Sequence, residues 1–578
     1  MIIGYDESHG ERWTIADSRA FELSPVSPER HAYSHLARLS SDFLGAESRR
    51  VRPGTSAADL DVLVVAEPDF SGGADDDLTA VLGDVARGMG LLCVVSEADD
   101  FVTDRVNSLI GRFGIRVTRQ EIQARHPRHD YLMTDRAPCD SVTPHQVTAG
   151  VRRVACHRGV AVECDDHAAP LIRAADGSVL LAVATHGAGR VAVLGSAESL
   201  SAPFVGEADN ALLFLNLLRW LAGDSADPVD KQRLNGALSG MTCTAGALDS
   251  RADLTESVVL DVRAHRDVLR EAYRSTIDPY EDPQRFIREA ELAFHELPIE
   301  LRRRIIDFKR ESNDFGAIVV RGLPGDQDLP PTPARSRETP RRSSYLSEFW
   351  LSVFASPLGD PIGYHQEKSG AIFQNVVPVK ENADKLSSES SEGILDFHTE
   401  TAFHPQMPDY LLLYCLRPDP ERQAATLIAG SRMMVPQVPL KYRPVLFDWA
   451  FRTGIDYSFG SPSGQVGNGP VMSILQGDPF DPLMRLDPDL MVGLEPDSDA
   501  ALNAMKAAIK VVGRSIFLDE SDLIIFDNHR AIHGRSRFQA HYNGQDRWLQ
   551  RMYVLSDLGH VLEGREAGGR VIRARFAL

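Results

Sequence analysis

The stretch Phe397-His398-Thr399-Glu400 constrains this chain most, because its chemistry is complete only if a distant residue, His533, is brought to it. Side chains alternate along a strand, so positions two apart project from one face. If Leu395 to Glu400 is a strand edge, the imidazole of His398 and the carboxylate of Glu400 point the same way. His533, within Ala531-Ile532-His533-Gly534-Arg535-Ser536, then completes two imidazoles and one carboxylate on one face of a metal ion. Such a set leaves three coordination positions open. A His-x-Glu triplet alone is a weak signal, and many bind nothing. The weight falls on what surrounds it.

At 578 residues the chain exceeds one ordinary core, so two or more domains are expected. A hydrophobic content of 43% and a charged content of 25% are those of a soluble globular protein. The formal charge of -20, from 62 Lys+Arg against 82 Asp+Glu, argues against nucleic acid or an anionic membrane as the main partner. Six cysteines are scattered without a CxxC pair. Cys156-His157, and Cys164 near His167, lack the spacing of a tetrahedral zinc site, so reduced thiols are the better reading. Met1-Ile2-Ile3-Gly4-Tyr5-Asp6 does not begin a signal peptide, and the longest apolar runs fall far below membrane-spanning length. A cytoplasmic protein is expected.

Residues 1–225 read as alternating strands and helices. Val62 to Ala66 and Leu91 to Val95 are continuous apolar runs, which suit strands buried on both faces. Asp76 to Arg87, Arg105 to Ile110 and Ala208 to Ala222 carry helical spacing. Val179 to Thr185 and Arg190 to Leu194 flank His186-Gly187-Ala188-Gly189, a hairpin turn. The pattern predicts an α/β layered domain. Val62 to Ala66, Gly88 to Val95, Phe113-Gly114-Ile115 and Val193-Leu194-Gly195-Ser196 give it a resemblance to the glutamine-amidotransferase-like, flavodoxin-like domains. A working amidotransferase needs a nucleophilic cysteine on a sharp turn. Cys93 lies instead between Leu92 and Val94 inside an apolar run, where a thiol is inert more often than reactive. A non-catalytic scaffold or binding module is expected.

A linker is expected over 226–255, from the Gly, Ala, Ser and Thr content of Asn235 to Asp249. In the second domain, 256–578, Leu297-Pro298-Ile299-Glu300 opens a helix with an apolar stripe at Leu301, Ile305 and Phe308. Asp328 to Ser344, rich in Pro and Arg, reads as a loop. Short strands follow at Phe315 to Pro324 (running into a turn), Gly370 to Pro378, Tyr410 to Leu416, Ala424 to Ile428, Asp522 to Asn528 and Trp548 to Leu555. Many short strands with polar turns, preceded by helices, predict a double-stranded β-helix, or jelly roll, with flanking helices.

The ordered set Gly322-Leu323-Pro324, Gln374-Asn375-Val376-Val377-Pro378, Phe397-His398-Thr399-Glu400, Asp527 to Ser536 and Asp546-Arg547-Trp548-Leu549-Gln550-Arg551 resembles the clavaminate synthase-like branch of the Fe(II)/2-oxoglutarate oxygenases. That branch includes the free-arginine and free-asparagine β-hydroxylases, and the match runs from about Leu297 to Val554. The resemblance implies Fe(II) held by His398, Glu400 and His533, with His529 as the rival third ligand. It implies that 2-oxoglutarate chelates iron by its keto-acid end. Its far carboxylate is matched by Arg547, whose planar guanidinium binds a carboxylate bidentately, and by the Thr426 hydroxyl. Arg551 lies four residues on, on the same strand face, and matches the arginine that holds an amino-acid substrate's carboxylate. Asp487 and Asp489 are the candidates to meet a basic or amide side chain. Related halogenases replace the carboxylate of the triplet with a small residue, so Glu400 favours hydroxylation. The expected reaction oxidises a C–H bond of an amino acid or derivative, free or tethered to a carrier protein, while 2-oxoglutarate and O2 become succinate and CO2. Desaturation or ring closure by the same iron chemistry, a non-catalytic ligand sensor and an amidotransferase or ligase are the competing readings. Oligomeric state stays open.

Overall fold

The computed structural model describes residues 1–7, 14–15, 33–52, 57–67, 75–96, 100–122, 136–225, 228–242, 258–385, 387–456, 459, 466–561, 564–565 and 569–573. The chain divides into two compact units.

The first unit comprises Met1–Leu248 with Pro436–Phe447 and Gln476–Asp481. Its sheet begins with parallel strands in the order Glu47–Val51, Ile2–Asp6, Val62–Ala66, Gly90–Val94 and Gly189–Leu194. The continuous apolar runs explain the layering. Val62, Val64, Ala66, Leu92 and Val94 enter one buried core with helices Ser34–Leu44 and Asn210–Leu221. Leu63, Val65, Leu91, Cys93 and Val95 enter another, with Val85 of helix Asp75–Arg87 and Leu109 of helix Asp100–Ile110. A period of two thus serves both faces of the sheet. Cys93 is fully buried in that second core.

Beyond Gly189–Leu194 the sheet turns antiparallel, through Val179–His186 and Ala168–Arg173, so it is mixed rather than wholly parallel. The expected hairpin is present, with His186 paired to Gly189. Gly187 has φ 59°, and a Cβ there would come within 2.5 Å of the Ala86 carbonyl oxygen, so the turn requires glycine twice over. Part of the stretch expected as linker is a helix, Lys231–Gly240. The Asp230 side chain caps it by accepting from the amides of Gln232 and Arg233, and Leu234 and Leu238 are buried in the first unit's core. Residues 226–227 and 243–255 of that stretch lie outside the described residues.

The second unit comprises Asp249–Val435, Asp448–Leu475 and Pro482–Leu578. Its larger sheet runs Val259–Asp261, Ala317–Arg321, Leu523–Asp527, Tyr410–Arg417, Trp548–Leu555, Asp360–Tyr364 and Val571–Ile572, with Gln374–Val376 also paired to Trp548–Leu555. The smaller sheet runs Leu395–His398, Ala531–Arg535, Thr426–Gly430 and Arg514–Ile516. This is the expected jelly roll. Strand parity sorts its side chains: Tyr410, Leu412, Tyr414, Trp548, Met552 and Val554 pack with Phe286, Ile305, Trp350 and Phe354 of the flanking helices. Leu411, Leu413, Leu549 and Arg551 face a cavity that Thr426 and His533 of the smaller sheet also line. The helix expected after Leu297 is Ile299–Glu311, and no helix or strand occupies Asp328 to Ser344. No helix among the described residues is long and apolar enough to cross a membrane.

Candidate active site

The strand predicted to reach Glu400 ends at His398, so parity does not aim the carboxylate. Glu400 lies just past the strand end, where a side-chain amide fixes its backbone. Its N–H donates to Asn528 Oδ1 at 2.9 Å, and Asn528 Nδ2 donates back to the Glu400 carbonyl at 3.1 Å and to Pro408 O at 2.8 Å. Strand Leu395–His398 pairs antiparallel with Ala531–Arg535, with His398 opposite His533. The two imidazole centroids are 4.5 Å apart. Between the strands, a Cβ on Gly534 would come within 2.6 Å of the Leu395 carbonyl oxygen, so this approach needs the glycine of the His-Gly-Arg run.

One ligand atom from each of His398, Glu400 and His533 lies within 4.8 Å of the others. His398 Nδ1 is 2.8 Å from the Asp396 carbonyl, an acceptor that places the proton on Nδ1 and leaves Nε2 free. His533 Nε2 is 3.4 Å from Glu400 Oε2, and its ring stacks on Phe526 with centroids 4.9 Å apart. Burial, with His398 adding to it, pushes the His533 imidazole down to about 4, so it is neutral and can offer a lone pair. Burial alone would raise the Glu400 carboxyl, but Arg551 and the two imidazoles hold it well below the usual carboxylate range. His529, the rival ligand, is turned to Asp409 Oδ1 at 2.6 Å and takes no part in the cluster.

The triad opens onto a cavity of about 800 Å³. Arg547 lines it and is only 7% exposed. Among the described residues no hydrogen bond or ion pair engages its guanidinium, which burial pushes down to about 10 against the pull of Cys415 and Asp419. Thr426 lines the same cavity and stands opposite Arg535 in the paired strands. Arg535 donates to Ser390 Oγ at 2.8 Å and to Gly393 O at 3.3 Å, and its buried Nε finds no partner among the described residues. Burial, then the nearby Arg547, pushes Arg535 down to about 9. Two buried guanidinium groups therefore face one cavity, with no carboxylate paired to either among the described residues. That is a site for an anion.

Arg551 is differently placed. Its Nη1 donates to Glu400 Oε1 at 3.3 Å, its Nε and Nη2 to Gln374 Oε1 at 3.2 and 2.6 Å, and its Nη2 also pairs closely with Glu367. One of its five N–H groups is left over. Behind it, the Tyr553 hydroxyl is 2.9 Å from both Glu367 Oε2 and Glu400 Oε1, and burial pushes the phenol well above its ordinary range. Lys368, held in a left-handed conformation, lines the cavity and donates to Asn375 O at 2.5 Å. Burial, with Arg551 beside it, pushes this lysine down to about 8.

Asp487 lies beyond the cavity wall, accepting from the Leu490 amide at 3.2 Å, and Asp456 lines the cavity itself. Burial raises Asp487 to about 6, opposed by His398 and aided by Asp456. Asp489 does not line the cavity among the described residues. Sequence reasoning missed Glu367, Lys368, Asp456 and Tyr553. Only Tyr553 carried a signal, since it continues the 547, 549, 551 parity of its strand.

The model of the family described as "Taurine catabolism dioxygenase TauD, TfdA family" matches residues 455–553. The chain is 36% identical to the L-asparagine oxygenase of Streptomyces coelicolor over 297 residues, covering 51% of this chain and 87% of that protein. It is 32% identical to clavaminate synthase 2 of Streptomyces clavuligerus over 319 residues, covering 55% of this chain and 98% of that one. A crystal structure of asparagine oxygenase with Fe(II), 2S,3S-3-hydroxyasparagine and succinate superposes with a TM-score of 0.51 at 35% identity, covering 55% of this chain and 99% of that chain.

Proposed function

We propose, from the premise that the chain belongs to the TauD/TfdA family of Fe(II)/2-oxoglutarate-dependent oxygenases, that its second unit hydroxylates an unactivated C–H bond of an amino acid or amino-acid derivative. The residues present fit the metal. Two imidazoles and one carboxylate converge within 4.8 Å, one imidazole is kept neutral by burial, and the carboxylate is kept ionised by Arg551. When bound, iron and 2-oxoglutarate supply the oxidising chemistry with O2, leaving succinate, CO2 and one oxygen atom in the product.

The protein's own groups do the rest. Arg547, with the Thr426 hydroxyl, takes the far carboxylate of 2-oxoglutarate, and the buried, unpartnered guanidinium is the observation that carries this reading. Arg551 turns its remaining N–H toward the substrate carboxylate, while Glu367 presents an acceptor to an ammonium group, so the pair suits a zwitterionic head. Leu411, Leu413 and Leu549 form an apolar wall that excludes water from the reacting carbon. Asp456, backed by Asp487, is the acceptor for a basic or amide side chain. A carboxylate at Glu400 occupies the place that halide would need, which favours hydroxylation over halogenation.

The first unit we read as an amidotransferase-like, flavodoxin-like scaffold without an evident nucleophile among its described residues, a reading supported by the burial of Cys93 in its core. The test of the main proposal is succinate release with Fe(II), 2-oxoglutarate and O2 across a panel of free L-amino acids, with mass spectrometry of the products. A product one oxygen heavier, formed in step with succinate, is expected. A product two hydrogens lighter would instead identify desaturation or ring closure. Bound iron with no succinate from any member, free or carrier-tethered, would overturn the proposal in favour of a sensor.

A further inference from the structure

We propose that Tyr553 is a positioning residue that couples the occupancy of Glu367 to the metal ligand Glu400 through one shared hydrogen. A phenol carries one O–H donor. The Tyr553 oxygen nevertheless lies 2.9 Å from Glu367 Oε2 and 2.9 Å from Glu400 Oε1, so at any moment one of the two contacts lacks a hydrogen. The ring cannot move away to resolve the conflict. It is fully buried, packed edge-on against Tyr364 at 5.5 Å between centroids, with the Arg551 guanidinium 4.6 Å from its own centroid. Only rotation of the hydroxyl is free.

Arg551 also touches both carboxylates, but from separate nitrogens, Nη1 to Glu400 and Nη2 to Glu367, so its two contacts do not compete. Arg551 is a fixed bridge and Tyr553 is the switch. Glu367 and Glu400 line the cavity, whereas Tyr553 lies behind them. An ammonium group arriving at Glu367 satisfies that carboxylate and releases the hydroxyl hydrogen to Glu400 Oε1. Oε1 would then be held by the phenol, leaving Oε2, the atom 3.4 Å from His533 Nε2, as the oxygen that Glu400 would offer to a metal.

This inference rests on the triad being a metal site, and the test separates the two. Co(II) serves as the probe, because its visible absorption reports coordination number without turnover. In the full chain, Tyr553→Phe should weaken Co(II) binding by about tenfold and change the intensity of the band. Glu367→Gln should change affinity and band in the wild-type background, and that change should shrink by at least about threefold in the Tyr553→Phe background. An independent arm needs no Tyr553 variant: saturating methylammonium should shift the Co(II) band of the wild type and leave that of Glu367→Gln unmoved. Equal Glu367→Gln effects in both backgrounds, or no methylammonium shift in the wild type, would overturn the coupling. Co(II) bound equally well by wild type and His398→Ala would instead overturn the metal site.

Discussion

Replacing Arg547 by methionine should move affinity and stability in opposite directions. Its guanidinium is 7% exposed and has been pushed from an ordinary 12.5 to about 10, chiefly by burial. At 1.36 kcal/mol per pH unit, that shift corresponds to on the order of 3 kcal/mol by which the folded protein disfavours the charged form. A carboxylate seated against it relieves this cost and adds a bidentate pair. Arg547→Met removes the pair, so 2-oxoglutarate should bind about 100-fold more weakly, each factor of ten being about 1.4 kcal/mol. The same change also removes an uncompensated buried charge and keeps an apolar stem, which in other buried sites is neutral or stabilising by about 1–4 kcal/mol. The ligand-free variant should therefore melt at or above the wild-type temperature. Calorimetric titration of 2-oxoglutarate into the Mn(II)-loaded protein, beside thermal unfolding of the ligand-free form, reads both quantities. A variant that unfolds several degrees lower while binding 2-oxoglutarate unchanged would refute the reasoning and make Arg547 a structural residue.

Three further outcomes follow from the same geometry. Burial pushes the imidazoles of His35 in the first unit and His404 in the second down to about 4, below their ordinary 6.5. Between those values the unfolded chain binds more protons than the folded one, so stability falls as pH drops from about 6.5 to about 4, by up to about 3 kcal/mol for each group. Denaturation midpoints across that range should fall steeply in the wild type and less so in His404→Gln. Gly534→Ala forces a Cβ to within 2.6 Å of the Leu395 carbonyl, so it should separate the two ligand-bearing strands at a cost of about 1–3 kcal/mol and weaken Co(II) binding at least about tenfold. Unchanged metal affinity in a folded Gly534→Ala protein would contradict this. Asp456→Asn and Asp487→Asn should lower kcat/KM for basic or amide amino acids by about 10–100-fold while leaving 2-oxoglutarate affinity unchanged. Equal losses for apolar amino acids would show that neither aspartate reads the side chain.

What the sequence disclosed depended on how local the relevant pairing was. The His398–Glu400 spacing and the His-Gly-Arg run are short-range patterns, and the structure brings their side chains together even though the strand stops at His398. The two-residue spacing of Arg547, Leu549 and Arg551 matches their shared place on the cavity wall, although the strand begins only at Trp548, and the same spacing leads to Tyr553 behind that wall. Glu367 left no such trace. It follows strand Asp360–Tyr364, and its position beside Arg551 depends on that strand pairing with Trp548–Leu555, with Ile362 opposite Tyr553. Pairing across so long a stretch of chain has no local signature. The same reason hid the mixed direction of the first sheet, because apolar runs announce buried strands but not their order. The helix Lys231–Gly240 was legible in principle from Asp230 at its cap and the Leu234–Leu238 spacing. The Gly and Ser content around it spoke louder.

The most direct measurement is succinate formation by wild type and His398→Ala, with Fe(II), 2-oxoglutarate, O2 and whichever amino acid the wild type accepts. The wild type should form succinate and an oxygen-bearing product in equal amounts, both abolished by chelating the metal. His398→Ala should form neither above background. Full turnover by His398→Ala would contradict the account at its centre.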